Sequence, residues 1–236
     1  MALLNKLPLA MLALGFLSLS GCSDDNDEPT VMVPEPAPVT LTYDITVTNL
    51  TQAQPLSPLA VGLHEDISMW QIGESVSEAF ELLAEEGDNA EFLANSEFLA
   101  TASGADILPP GETETVTVSI TDGDAFFLTV ATMLVNTNDA FAGVTQHPLS
   151  GMEVNQSVTL FANIYDAGTE ANTEMAGTIP GPSDGGEGFN ADRDDANAVS
   201  IHPGVVTGQD SLPNSVLSAI HRFNNPGLKI IVTRVE

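Results

Sequence analysis

Basic residues are nearly missing from this chain of 236 residues: five Lys and Arg stand against 33 Asp and Glu, for a formal charge of −28. None occurs between Lys6 and Arg193. Binding to a phosphate backbone depends on neutralisation by Lys and Arg and on counterion release, so nucleic acid is excluded as a partner, and electrostatic binding to anionic membrane surfaces with it. Cysteine occurs once, at Cys22, which leaves no internal disulfide to staple the fold. The marks of the common enzyme classes are missing too: there is no HExxH, GxSxG, Walker loop, CxxC, or GxGxxG after a strand. The four histidines, His64, His147, His202 and His221, are dispersed, and no pair has local metal-ligand spacing. Each is assigned to the surface or to a loop, and Trp70 and the Phe residues to core or rim packing. The chain therefore reads as a non-enzyme.

Apolar residues are not scarce. At 43% hydrophobic the chain can bury a core despite its charge, so it folds. Long helical patterns are few, whereas short β-branched runs, 15 Pro and 19 Gly are spread along it, which predicts one all-β domain.

The N-terminus stands apart. Residues 1–21 carry one positive charge, Lys6, then an apolar run from Leu7 to Leu19 and small residues, the pattern of an export signal and too short for a stable membrane span. Leu19-Ser20-Gly21-Cys22 resembles a bacterial lipobox, which makes the Cys22 thiol a lipid anchor and places the protein in the bacterial cell envelope. Ser23, where inner-membrane lipoproteins typically resemble one another in having Asp, directs the expectation to the outer membrane. Residues 22–40 are acidic and then Pro-rich, an extended tether that neither packs nor forms a helix.

From residue 41 to 236 the pattern is that of a folded domain. Leu41, Tyr43, Ile45 and Val47 alternate with polar residues as a half-buried strand does, and Leu59 to Leu63 can pair again. Residues 73–87 are punctuated as a short helix, with Ser75 and Glu78 as a capping box, Val76, Phe80 and Leu83 on one face and Gly87 as the stop. A second short helix is expected from Asp88 to about Phe98. Thr113 to Ile120 is a strand with one wet face; Phe126 to Val135 is almost wholly apolar and reads as a central strand buried on both faces. Val158 to Ile164 and Leu228 to Val235 complete the set. Residues 166–198 hold little apolar periodicity and form a long loop of the kind that often carries function.

Two strand ends could carry chemistry. One is Val135-Asn-Thr-Asn-Asp139, where a buried strand runs into a polar turn. The other is Tyr165-Asp-Ala-Gly-Thr-Glu170, which sets Asp166 and Glu170 four residues apart in a loop. Carboxylates on loops at one end of a sandwich suit a hard cation such as Ca²⁺, which accepts six to eight oxygens in flexible geometry. In so acidic a chain, carboxylates near strand ends are also expected by composition. A third cluster, Asp184, Glu187, Asp192, Asp194 and Asp195, lacks the alternation of a calcium-binding loop and reads as a solvated acidic loop.

TYDITVTNLTQAQPLSPLAVGLHE (42–65), MLVNTNDAFAGV (133–144), NIYDAGTEANTE (163–174) and the ending SIHPGV…NNPGLKIIVTRVE together resemble the spondin N-terminal domain as it occurs in bacterial exported lipoproteins. The resemblance covers about residues 41–236. It implies a C2-like β-sandwich with one Ca²⁺ held at one end by Asp139, Asp166 and Glu170. Glu170 departs from the Asp usual in animal members: it keeps the charge but moves the oxygens by one methylene. Animal members are matrix and cell-adhesion modules, so the resemblance implies a lipid-anchored, calcium-stabilised module for an extracellular protein or polysaccharide. Two alternatives from other classes remain open at this point. One is a metal-dependent envelope hydrolase with His147 as the local base; the other is a purely structural envelope lipoprotein whose acidity serves solubility.

Overall fold

A computed structural model describes residues 37–236, and Pro38–Glu236 form one compact unit. The expected anchor at Cys22 and most of the expected tether lie outside the described residues.

Among the described residues nine strands run β1 (Thr40–Asn49), β2 (Ala60–His64), β3 (Phe98–Ser103), β4 (Thr113–Thr121), β5 (Phe127–Met133), β6 (Ala140–Pro148), β7 (Ser157–Asp166), β8 (Ser200–Ile201) and β9 (Leu228–Arg234). Two short helices, α1 (Glu78–Glu85) and α2 (Ala90–Leu93), lie between β2 and β3. All strand pairs are antiparallel and follow the order β3-β2-β5-β6-β7-β9-β1-β4, with β8 added beside β7. The long strand β7 joins the two halves of this all-β, sandwich-like fold. Its first part, Ser157 to Ala162, pairs with β9, and its last part, Asn163 to Asp166, pairs with β6. At the far ends of the order β3 and β4 come into contact, so the sheet nearly closes.

The alternation in β1 does what a period of two must do. Tyr43, Ile45 and Val47 enter the core with Val116 and Val118 of β4, Ile230 and Val232 of β9, and Leu128 and Val130 of β5. On the opposite face, hydroxyls meet across the strands: Thr46 with Thr115 at 2.8 Å, Thr48 with Thr113 at 2.9 Å, Thr42 with Ser119 at 3.0 Å. Such directly opposed pairs each add a few tenths of a kcal/mol, up to about 1, to a sheet.

The β5 run is apolar on both faces because both are covered. Its other face contributes Ala131 to a second core in which Phe80, Leu83 and Ala84 of α1, Phe92 of α2, Trp70 and Phe141 pack together. Phe141 is the hub of that layer, 4.7 Å from the Phe80 ring edge to face and 5.2 Å from Tyr165 in a stack. The helices are thus a lid on the second half of the sheet, and this is what holds α1 over the end where β6 begins.

Several expectations are corrected. The first helix begins later than its sequence signature: the cap is Ser77, whose hydroxyl accepts from the Phe80 N–H at 3.2 Å, and the expected Ser75–Glu78 box does not form. Gly87 closes the helix as expected, at φ +76°. The second helix spans only Ala90–Leu93, and Phe98 opens a strand. β3 pairs at the edge of the order and turns small residues, Ala100 and Ala102, toward the core, so its alternation is weak in the sequence. The buried strand β5 does run into a polar turn before Asp139, as expected. A turn separates β5 from β6, and Asp139 stands at the start of β6.

The histidines are corrected as well. His64 is fully buried, with Nε2 2.8 Å from the Thr129 hydroxyl and its ring between Phe98 and Phe127. His202 lies in the loop after β8, as expected, but is only 5% exposed. Both rings are buried, and burial lowers the affinity of each for a proton against the pull of a carboxylate, Asp66 for His64 and Asp166 for His202.

Candidate cation site

Asp139 and Asp166 come together through the β6–β7 ladder. Ala140, the first residue of β6, pairs with Asp166, the last residue of β7, so Asp139 lies one position beyond the pair at the same end. The backbone continues the ladder there, the Ala167 N–H donating to the Asp139 carbonyl at 3.3 Å. The chain then folds back over Asp139: Oδ2 accepts from the backbone N–H of Thr169 at 2.9 Å, from that of Glu170 at 3.2 Å and from the Thr169 hydroxyl at 3.3 Å. Gly168 is required for this return. Its φ is +71°, and a Cβ there would stand 2.4 Å from the Ala198 carbonyl oxygen.

Each acid has a distinct environment. Asp139 is fully buried, and its second oxygen, Oδ1, has no hydrogen-bond partner. Burial first, then the Asp166 charge, push its carboxyl up to about 7 against the pull of the Glu170 and Thr169 N–H groups. Asp166 has both oxygens engaged, Oδ1 by the Gly168 N–H at 2.8 Å and Oδ2 by the Asn172 amide at 2.6 Å. Glu170 is 9% exposed, and burial with the charges of Glu85, Asp139, Asp194 and Glu187 raises it to about 8. It opens on a small cavity of about 120 Å³ that Asn138, Asn190 and Asp194 also line.

Three further residues at this end are not among the acids expected to form the site. Glu85, the last residue of α1, is fully buried and raised by desolvation. Its signal was the pair Glu81 and Glu85, four apart on a helix without a single basic residue and flanked by buried Phe80, Leu83 and Ala84. Asn138 is 3% exposed with an unpartnered side-chain oxygen. His202 feels the Asp166 charge, yet burial dominates and brings its ring down to about 4. Its Nδ1 accepts from the Gly204 N–H at 2.9 Å, so a neutral ring carries its proton on Nε2 and offers no lone pair there.

His147 is not a base for this site. It sits near the opposite end of β6, about 27 Å along the strand from Asp139 at ~3.4 Å per residue. The acidic loop is also more than a solvated rim. Asp184 Oδ2 accepts from the Gly177 N–H at 2.6 Å, and Asp194 Oδ1 from that of Ala171 at 2.8 Å. Arg193 grips Glu81 with Nε at 2.8 Å and Nη2 at 2.5 Å, pinning the loop to α1. Asp192 and Asp195 remain exposed.

The donor chemistry fits a hard cation: carboxylate and amide oxygens, no sulfur, and buried oxygens of Asp139 and Asn138 that nothing satisfies. Among the described residues no three acidic, His or Cys side chains converge closely enough to hold an ion as they stand. No protein-family model matches the chain, and no curated protein matches its sequence.

Proposed function

We propose that this chain is a lipid-anchored, calcium-stabilised binding or adhesion module of the bacterial envelope, without enzymatic activity, that engages an extracellular protein or polysaccharide. The observation that carries the calcium reading is Asp139: a fully buried carboxylate with one orphaned oxygen, whose proton affinity the Asp166 charge raises and whose own charge raises that of Glu170. Burying such a group among like charges is costly unless a cation or a proton compensates it. Asp139, Asp166 and Glu170 would hold the ion, in keeping with the spondin-like motifs. The anchor rests on the lipobox-like segment ending at Cys22, and Ser23 favours the outer membrane. When bound, Ca²⁺ would cancel the repulsion among these acids and tie the β5–β6 turn to the loop after β7, fixing the end of the sandwich as a rigid surface.

The test is thermal unfolding of the full chain in mild detergent with Ca²⁺, Mg²⁺ or chelator. Ca²⁺ at 100 times its dissociation constant should add about 2.7 kcal/mol, and Mg²⁺ should do less because it keeps its waters and demands a tighter octahedron. Coincident curves with Ca²⁺ and chelator at low salt would remove the calcium reading. Mass spectrometry of the native N-terminus checks the anchor: an unmodified chain cut elsewhere than before Cys22 would remove it.

A further inference from the structure

We propose that Glu85 is a fourth carboxylate ligand of the cation site, delivered beside Thr169 by the end of α1. The inference rests on the calcium reading but does not follow from the motifs that suggested it, which involve only the β5–β6 turn and the loop after β7.

Thr169 is the bridge. Its hydroxyl donates to Asp139 Oδ2 at 3.3 Å, and the Glu85 side chain lies against the same threonine. Glu85 and Asp139 therefore share Thr169 as a neighbour, and both are fully buried. Each has one satisfied and one orphaned oxygen. Glu85 Oε2 accepts from the Asn190 N–H at 2.9 Å while Oε1 is buried without a partner, as Asp139 Oδ1 is. Two orphaned oxygens on neighbouring carboxylates are what a bound cation would leave behind, since it takes one oxygen from each and asks for no donor hydrogen.

The position of Glu85 makes a purely structural role hard to sustain. It ends α1, where the helix dipole is negative and a carboxylate is disfavoured, and the last turn of the helix carries no basic residue. Arg193 is the basic side chain whose charge Glu85 feels, but its donors are committed to both oxygens of Glu81, to the Asn197 side chain and to the Val76 carbonyl. Glu85 is thus buried at a helix end with one oxygen that no donor reaches. The placement also gives the ion a mechanical consequence: α1, the turn before β6 and the loop after β7 would share one ligand, locking the helical lid to the sheet.

Calorimetric titration of the full chain with Ca²⁺, read beside thermal unfolding in chelator, separates the outcomes. Glu85→Gln should weaken Ca²⁺ binding at least tenfold while melting in chelator at or above the wild-type temperature, and the exposed neighbour Glu86→Gln should bind as wild type. Glu85→Asp keeps the charge but withdraws its oxygens by one methylene; it should lose affinity several-fold, and it carries the test if Glu85→Gln does not fold. Wild-type affinity in both Glu85 variants would overturn the proposal while leaving the calcium reading intact. A wild-type chain that binds no Ca²⁺ would overturn both.

Discussion

The metal-free domain should be more stable in mild acid than in mild base, and Asp139 should be a principal cause. Its carboxyl rises from 3.8 to about 7 on folding. A group whose folded value lies above its unfolded one contributes stability that is complete below the unfolded value and is lost as pH climbs through the folded one. The window is therefore about pH 4 to 7. A displacement of about three pH units corresponds to ~4 kcal/mol at 1.36 kcal/mol each. Because the acids of the cluster titrate together and the loop can relax, roughly half, ~2 kcal/mol, is expected to belong to Asp139 alone. Asp139→Asn keeps an oxygen to accept the Thr169 and Glu170 N–H groups but cannot ionise. In chelator at pH 8 it should melt about 4 to 8 °C above wild type for a domain of this size, and the gap should close by pH 5. With Ca²⁺ the order should reverse, since the variant loses a ligand. The assay is a series of melting curves from pH 5 to 8 with and without metal. A variant that melts below wild type in chelator at pH 8, or a gap that does not depend on pH, would refute the reasoning.

Other outcomes follow from neighbouring features. His202 behaves oppositely to Asp139: burial lowers its ring from 6.5 to about 4, so its contribution is present above pH ~6.5 and is lost as pH falls toward 4. His202→Asn, whose side-chain oxygen can still accept the Gly204 N–H, should flatten the acid limb of the stability profile, seen by urea unfolding between pH 4 and 6.5. Arg193→Met should leave Glu81 buried without its counterion and cost about 2 to 3 kcal/mol, below the ~3 to 5 of a fully buried pair because the Arg193 side chain is 24% exposed. Limited proteolysis should then cut within residues 184–198 before the sheet unfolds. Phe141→Ala, at the hub of the aromatic layer under α1, should cost about 3 to 5 kcal/mol in urea and release the helices first, an order that hydrogen exchange would report.

How far the sequence could be read depends on whether the signal was local. β1, β4, β7 and β9 were visible because one face meets the core and the other meets water, which writes a period of two into the residues. β5 was visible for the opposite reason, an apolar run that matched its burial between the core and the helical layer. β6 and β3 were missed because their residues are small or share the character of the adjoining turn; Ala140, Ala142 and Gly143 carry almost no pattern. Helix α1 was found but misplaced by its cap, as several Ser and Glu residues offered rival starts and tertiary packing of Val76 and Phe80 selected Ser77. The site divides in the same way. Asp139, Asp166 and Glu170 stood out because each follows a strand signal and a turn motif, and the β6–β7 register does bring the first two to one end. Glu85 and His202 stood out far less. Glu85 lies 54 residues before Asp139, and nothing near it resembles a ligand motif; its meaning appears only when the helical layer folds over the sheet and presses it against Thr169. A cation bound there would gather ligands from a helix end, a turn and a loop, three segments of different local physics. The affinity of the site is then coupled to the docking of α1, so variants that loosen the aromatic layer far from any carboxylate should weaken the metal as well as the fold.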